Sequence, residues 1–264
     1  MVALAYIQEW RDSIAPWQES YQVEQDLIIS RILIALFSDG YLKEHLAFRG
    51  GTALHKLYLQ PAPRYSEDVD LVQIKTGPIK PIMQRIEEVI DFFNEPRSTS
   101  HRGHGIKALY RFQSELEQVR YRIKLEINCK EQQSVFPIIE YPFVVKSGWF
   151  NGTCDLRTYN IHELLGSKLR ALYQRKKGRD LFDIDYARRN MDLDLDKIIH
   201  CFKQYITEST GKKPPSNREF FINLEAKMTD KGFTGDIEGI LRPGIIYNQD
   251  EAFHWISDEI ISKL

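Results

Sequence analysis

The sequence predicts an α+β fold, with a mixed β-sheet and helices in the N-terminal half and a helical C-terminal region. Short apolar stretches with the two-residue alternation of β-strands occur between residues 46 and 157. From residue 160 to the end, apolar residues recur mostly at helical spacing. Because no long linker separates these regions, we expect two adjoining domains, residues 1–157 and 158–264.

The composition is that of a globular protein, and it excludes several classes. A chain of 264 residues can bury a sizeable core. Its N-terminus lacks the basic region of a signal peptide, and no stretch reaches the roughly 18 apolar residues of a membrane span. The three cysteines are scattered, which favours a reducing cytoplasm over a disulfide framework. The net charge of −1 argues against a globally basic nucleic-acid-binding protein, but leaves room for a local basic patch.

The first elements predict a strand, a glycine turn and a helix in direct succession. Residues 21–38 have helical spacing, and the apolar residues 46–48 suit a short buried strand. Gly50 and Gly51 then form a turn, and Thr52 lies near the N-cap of a helix that begins at once.

The rest of the N-terminal half alternates between strand and helix patterns. Polar and apolar residues alternate at 68–72, which predicts a strand, ending at Ile74, with one solvent-exposed face. An amphipathic helix is expected next, followed by two strands of a hairpin and further short strands, at residues 78–93, 105–112, 119–128 and 138–157.

The C-terminal region carries helix-capping signals. Asn160 with Glu163, and Ser216 with Glu219, have the spacing of capping boxes. The helices expected there cover residues 161–175, 180–189, 196–209, 217–229 and 250–263.

The main candidate site combines an acid pair with the glycine turn. Asp68 and Asp70 lie on the same face of their strand, where the two carboxylates repel each other unless a cation lies between them. Carboxylate oxygens suit Mg²⁺ or Mn²⁺. An isolated pair of this kind is more often only a solvated strand face. A strand–glycine–helix turn nearby presents free backbone N–H groups to a phosphate, so the two features together predict a site for a nucleotide and a metal ion.

Three further residues are candidates for this chemistry. Glu126 lies on the polar face of a strand that could adjoin the acid pair, although a surface ion pair would explain it equally well. Lys168 interrupts the apolar stripe of its helix, so it either extends to the rim or is directed at an anion, and the suspected phosphate site favours the anion. Asp180 and Asp183 share a helix face; for Asp180 we expect capping and ion pairs with Arg175, Lys176 and Arg179.

Three stretches resemble the AbiEii/AbiGii toxin family of nucleotidyltransferases: FRGGTALHKLY, RYSEDVDL and ELLGSKLRAL…RKKGRDLFDID. The ordered set extends over residues 46–187. The wider superfamily resembles DNA polymerase beta in its nucleotide-binding core. The resemblance implies a metal-dependent transferase with an NTP substrate. It also implies a toxin of a toxin–antitoxin or phage-defence system, with a cognate antitoxin and tRNA as one acceptor class.

The resemblance also implies roles for individual residues. These are metal binding by Asp68 and Asp70, phosphate binding by Gly50, Gly51 and Thr52, nucleotide contact by Lys168 and catalysis by Asp183. Glu126 would be the third metal-binding acid, on the faintest motif. Either Glu126 or Asp183 would take the proton from the attacking hydroxyl, and spacing leaves that choice open.

An RNA acceptor requires a local cationic surface. Candidates lie in residues 170–179, in the loop 101–107 and on the strand with Arg120, Arg122 and Lys124, although a solvated face explains each as well. The loop contains His101 and His104, but no second ligand pair follows at zinc spacing, so zinc is not expected.

Alternative interpretations of the function remain open at this point. The nucleotide could go to a protein or small-molecule hydroxyl instead of RNA. The chain could be a nucleotide-binding module without turnover, although the intact acids and Lys168 argue against a degenerate enzyme. A metal-dependent nuclease could use the same acids, but it would leave the glycine–helix phosphate site unexplained. No reading places the protein in a membrane.

Overall fold

The computed structural model describes residues 2–93, 97–102, 105–114 and 120–264. His104, one of the two loop histidines, lies outside these residues. The chain divides into two compact units, Met1–Tyr159 and Asn160–Leu264. All strands of the described residues belong to a mixed sheet in the first unit, and the elements of the second unit are helices. The α+β prediction is therefore confirmed.

In the part of the chain that the structure describes, the sheet has seven strands in the order β3-β4-β5-β2-β1-β7-β6. β1 pairs with β7, and β2 with β5, in parallel, and the other neighbours are antiparallel. The strands are β1 Leu46–Arg49, β2 Asp68–Gln73, β3 Ser98–Arg102, β4 Gly105–Gln113, β5 Arg120–Asn128, β6 Ile139–Lys146 and β7 Asn151–Thr158. This order places β2 near the centre, between the strand that precedes the glycine turn and the strand that carries Glu126.

Alternation along the central strands separates a core face from a charged face. Val69 and Leu71 of β2, and Ile123 and Leu125 of β5, are buried almost completely. Burying each such side chain contributes about 1.5–3 kcal/mol, which holds the strands in this register. The intervening charged residues must therefore stand together on the opposite face.

Helices accompany the sheet in the first unit. They are α1 Leu4–Ser13, α2 Ser20–Ser38, α3 Gly40–His45, α4 Gly50–Ala53 and α5 Ile79–Val89. The π-helical turn Leu54–Tyr58 continues α4 directly. Within that turn the Lys56 ammonium lies 3.0 Å from Asp26 Oδ1 and 2.9 Å from Ser30 Oγ, which anchors the segment on α2.

The α-helices of the second unit are α6 to α11, and two short 3-10 helices, Gly235–Ile237 and Ile261–Lys263, accompany them. Their bounds are α6 Ile161–Gln174, α7 Gly178–Asn190, α8 Leu195–Thr210, α9 Asn217–Met228, α10 Lys231–Thr234 and α11 Gln249–Glu259. None of the helices in the described part of the chain has both the length and the apolar character needed to span a membrane.

The capping predictions had different outcomes. Ser216 and Glu219 form the predicted capping box. The box at the start of α6 was wrong in its second half: Asn160 caps the helix, but the buried Glu163 accepts a 2.5 Å hydrogen bond from the Tyr205 hydroxyl instead of reaching back. The expected cap at Asp180 was also wrong, because α7 begins two residues earlier and places that carboxylate inside the first turn.

Candidate active site

The glycine turn and the acid pair meet at Gly50 and Asp70. Gly50 follows β1 with a φ of 82°, a conformation that residues with side chains rarely adopt. A Cβ placed there would lie 2.2 Å from Asp70 Oδ2. Only glycine fits, because the carboxylate occupies the space that any side chain would need.

Thr52 fixes the start of β2 to this turn. Its buried hydroxyl donates a 2.5 Å hydrogen bond to the backbone oxygen of Asp68. Since that bond uses the only hydroxyl hydrogen of Thr52, Ser66 Oγ must be the donor in its 2.9 Å contact with Thr52 Oγ1. The side chain of Thr52 therefore positions the acid strand, a role that the sequence did not indicate. Phosphate binding by its backbone N–H stays a prediction.

β5 brings two further charges beside the acids. Asp68 is opposite Lys124 and Asp70 is opposite Glu126 in the parallel β2–β5 pair. Lys124 Nζ lies 2.7 Å from Asp68 Oδ2 and 3.6 Å from Glu126 Oε2. From β4, the other neighbour of β5 in the sheet, Lys107 Nζ lies 3.1 Å from Glu126 Oε2. An ammonium group thus occupies the space between two of the three acids.

The positive charges near Asp70 do not fully compensate the burial and repulsion of its carboxylate. Burial of its carboxylate and the nearby charge of Asp68 raise the pKa of Asp70, although Arg49 and Lys124 oppose the shift. The residue as a whole is half-buried. Burial lowers the pKa of Lys124, but its hydrogen bond and proximity to Asp68 reverse the effect and raise it. The site would gain from more positive charge.

The fit of this donor set to a divalent cation is partial. Asp68 and Asp70 supply hard oxygen ligands that suit Mg²⁺ or Mn²⁺. Among the residues that the structure describes, however, no group of three or more His, Cys, Asp or Glu side chains is placed to hold a metal. Glu126 is engaged by Lys107 and Lys124 instead. Its role as a third ligand stays a prediction, and it requires Lys124 to move.

Arg49 of β1 lies beside Asp70, on the opposite side from Glu126 of β5. It is the antiparallel register partner of Asp70, and its guanidinium lies 3.0 Å from Glu131 Oε2. Sequence reasoning missed Arg49, Lys107 and Lys124 as members of the site. Their positions on the polar faces of alternating strands were the available signal. Only the order of the strands in the sheet, however, shows which of these charged residues lie side by side.

Lys168 and Asp183 lie in the second unit, where they form a buried ion cluster with Asp180. Lys168 Nζ lies 2.8 Å from Asp183 Oδ2 and 3.1 Å from Asp180 Oδ1. Arg175 also binds Asp180 through two hydrogen bonds, of 2.7 and 2.8 Å. Burial raises the pKa of Asp180, but Lys168 and Arg175 outweigh it and hold the pKa below its usual value. The lysine in the apolar stripe is therefore directed at anions, namely the carboxylates of α7.

The other cations of residues 170–179 also have partners. Lys176 pairs with Asp230 at 2.9 Å, and Lys177 and Arg179 both pair with Asp236 at 3.1 Å. This predicted RNA-binding stretch is thus largely neutralised within the second unit.

Comparison with known proteins identifies the family. The model of the nucleotidyl transferase AbiEii toxins of type IV toxin–antitoxin systems matches residues 31–259. The chain belongs to the AbiEii family. The predicted resemblance is confirmed, and it extends well beyond the motifs that indicated it. As an AbiEii-family member, the protein is a nucleotidyl transfer enzyme of the toxin type.

Solved structures share this AbiEii-type fold. MenT4, a nucleotidyltransferase toxin from Mycobacterium tuberculosis H37Rv, has a TM-score of 0.72 at 18% identity, over 100% of this chain and 91% of that one. JHP933 from Helicobacter pylori has a TM-score of 0.59 at 17% identity, over 93% of this chain and 94% of that one. At such identities the likeness concerns the fold alone. No curated protein matches the sequence.

Proposed function

We propose that this AbiEii-family toxin transfers a nucleoside monophosphate from an NTP to a tRNA-like RNA acceptor in the cytoplasm, with Mg²⁺ or Mn²⁺ as cofactor and a cognate antitoxin as its counterpart. The observation that carries the proposal is the contact of the Asp70 carboxylate with the glycine turn at Gly50. It places a carboxylate in direct contact with a turn of the type that binds phosphate.

The charges around the turn support separate roles for the acids and the glycine turn. Asp68 and Asp70 would hold the metal ion, which when bound supplies positive charge to the reacting phosphate. The turn at Gly50 and Gly51 would accept the phosphates close to the backbone. Lys124 already bridges Asp68 and Glu126 and so offers an ammonium group at the same place.

The family resemblance supplies the roles proposed for the second unit. Lys168 would contact the nucleotide and Asp183 would act in catalysis. Each candidate base forms an ion pair with at least one ammonium group: Asp183 with Lys168, and Glu126 with Lys107 and Lys124. Either carboxylate would have to leave this pair to reach the attacking hydroxyl, so its activation would involve its lysine.

The test is label transfer from each α-³²P NTP by the purified chain, with Mg²⁺ and with total RNA or cell extract. We expect label in a tRNA-sized band for the wild type and none for Asp68→Asn/Asp70→Asn. An exposed-acid variant, Asp192→Asn, serves as the matched control and should transfer normally. Label in a protein or a small molecule would replace RNA as the acceptor. No label with any NTP and acceptor would contradict the proposal.

A further inference from the structure

Two arginines face each other on the sheet beside the candidate site. Arg111 of β4 and Arg122 of β5 are register partners in an antiparallel pair, so their side chains leave the sheet on the same face. Both are exposed. Within residues 2–93, 97–102, 105–114 and 120–264, neither guanidinium has an ion-pair partner.

This arrangement is unfavourable for the sheet by itself. Like charges placed directly opposite each other on neighbouring strands destabilise the pair. The next charged residue along β5, Lys124, avoids the problem by pairing with Asp68 and Glu126. The arginine pair would be relieved by an anion that lies between the two guanidinium groups.

The arginine pair shares a face with the acids. Along β5, Arg122, Lys124 and Glu126 alternate with buried Ile123 and Leu125. At about 3.3 Å per residue, the row with Arg122 lies roughly 13 Å along the strand from the row with Glu126. A polyanionic chain that reaches the acids with one end can therefore cover both arginines.

We infer that Arg111 and Arg122 bind phosphodiester groups of the acceptor RNA, a few nucleotides from its reacting hydroxyl. The planar guanidinium groups match phosphate oxygens in bidentate geometry. Lys176, Lys177 and Arg179 already have carboxylate partners, so the β4–β5 face offers the freer positive charge. The inference rests on the proposed function, because it locates the acceptor of that reaction.

The experiment measures binding of fluorescein-labelled tRNA to the full chain by anisotropy over a series of KCl concentrations. Arg111→Gln/Arg122→Gln should weaken binding about tenfold or more, and should reduce the salt-dependence slope by about 1.4, since a single-strand phosphate contact contributes about 0.7. Lys80→Gln/Lys146→Gln, which removes two exposed charges elsewhere in the same unit, is the matched control and should bind as the wild type does.

Two more variants separate this inference from the proposed function. Arg111→Lys/Arg122→Lys should recover the salt slope but only part of the affinity, because charge is kept and the bidentate geometry is lost. Asp68→Asn/Asp70→Asn should bind tRNA normally without transferring nucleotide. If tRNA binding depends on the arginines but the wild type itself transfers no nucleotide, the arginine inference stands and the proposed function fails.

Other outcomes would overturn the inference. Wild-type tRNA affinity in Arg111→Gln/Arg122→Gln would do so. So would a loss of NTP affinity by calorimetry with tRNA affinity intact, which would assign the arginines to the nucleotide. A loss of antitoxin binding alone would assign them to a protein partner. Failure of the wild type to bind tRNA, with label transferred to a protein, would overturn the arginine inference and leave nucleotidyl transfer in place.

Discussion

The carboxylate of Asp70 lies against the α-carbon of Gly50, where a side chain on the glycine would have to be. Two segments twenty residues apart in the sequence are thereby joined at one point. The contact explains why a glycine turn and an acid strand occur together in this chain, because neither can change without disturbing the other.

Gly50→Ala should therefore abolish nucleotidyl transfer and destabilise the protein. The positive φ costs an alanine roughly 1–2 kcal/mol, and its Cβ would also force Asp70 to move. Thermal unfolding and label transfer measure the two effects. Gly40→Ala is the control: Gly40 is the first residue of α3 and has open space around it, so that variant should keep both activity and stability. An active Gly50→Ala enzyme would contradict the assignment of the turn.

Asp70→Asn should separate activity from stability. Burial of the carboxylate and repulsion by Asp68 raise the pKa of Asp70, so the ionised carboxylate opposes folding. Removing that charge should leave the urea midpoint unchanged or raise stability by roughly 0.5–2 kcal/mol, as often happens at functional sites. Label transfer should meanwhile disappear. A clearly destabilised Asp70→Asn variant would show that this carboxylate serves the fold.

The sequence predicted the α+β class and most strands because alternation is a local signal. β3 was missed, since Ser98–Arg102 has no apolar face to reveal it. α1 was missed because its buried stripe is short, with Ile7 and Trp10 as the buried residues. β3 is formed by pairing with β4, the next strand along the chain, and α1 packs against α2, where Trp10 Nε1 donates to Asp26 Oδ1.

The candidate site was predictable only in part, for the same reason. Asp68, Asp70 and Glu126 could be assigned to polar strand faces from spacing. Lys124 could not be placed between them, because its position depends on β5 pairing in parallel with β2. The capping error at Glu163 has a related cause: a tyrosine from a later helix offered the carboxylate a buried partner.

Lys168→Met should destabilise the second unit strongly. It removes the ammonium group that pairs with the buried carboxylates of both Asp180 and Asp183. Removing one member of a buried ion pair typically costs about 3–5 kcal/mol. Urea unfolding of Lys168→Met, Asp183→Asn and the double variant forms a double-mutant cycle. The double variant should be less destabilised than the sum of the single variants, and simple additivity would contradict the coupling.

His162 should make stability depend on pH. Its Nε2 accepts a 3.0 Å hydrogen bond from the backbone N–H of Asp194, so Nδ1 must carry the proton toward Asn160 Oδ1. Burial and the charge of Lys197 lower the pKa of His162. Because the folded-state pKa lies below the unfolded value, the stabilisation is present above about pH 6.5 and is lost as the pH falls through the folded-state pKa.

His162→Gln should remove that pH-dependent part of the stability. The measurement is the urea midpoint of each variant from about pH 7.5 to about pH 5, across the ordinary histidine pKa. The difference between wild type and His162→Gln should shrink as the pH falls, because protonation breaks the bond to the Asp194 N–H in the wild type. His254→Gln, at an exposed histidine on α11, should follow the wild-type curve. A wild-type midpoint that falls no more steeply than that of His162→Gln would show that protonation of His162 is compatible with the fold.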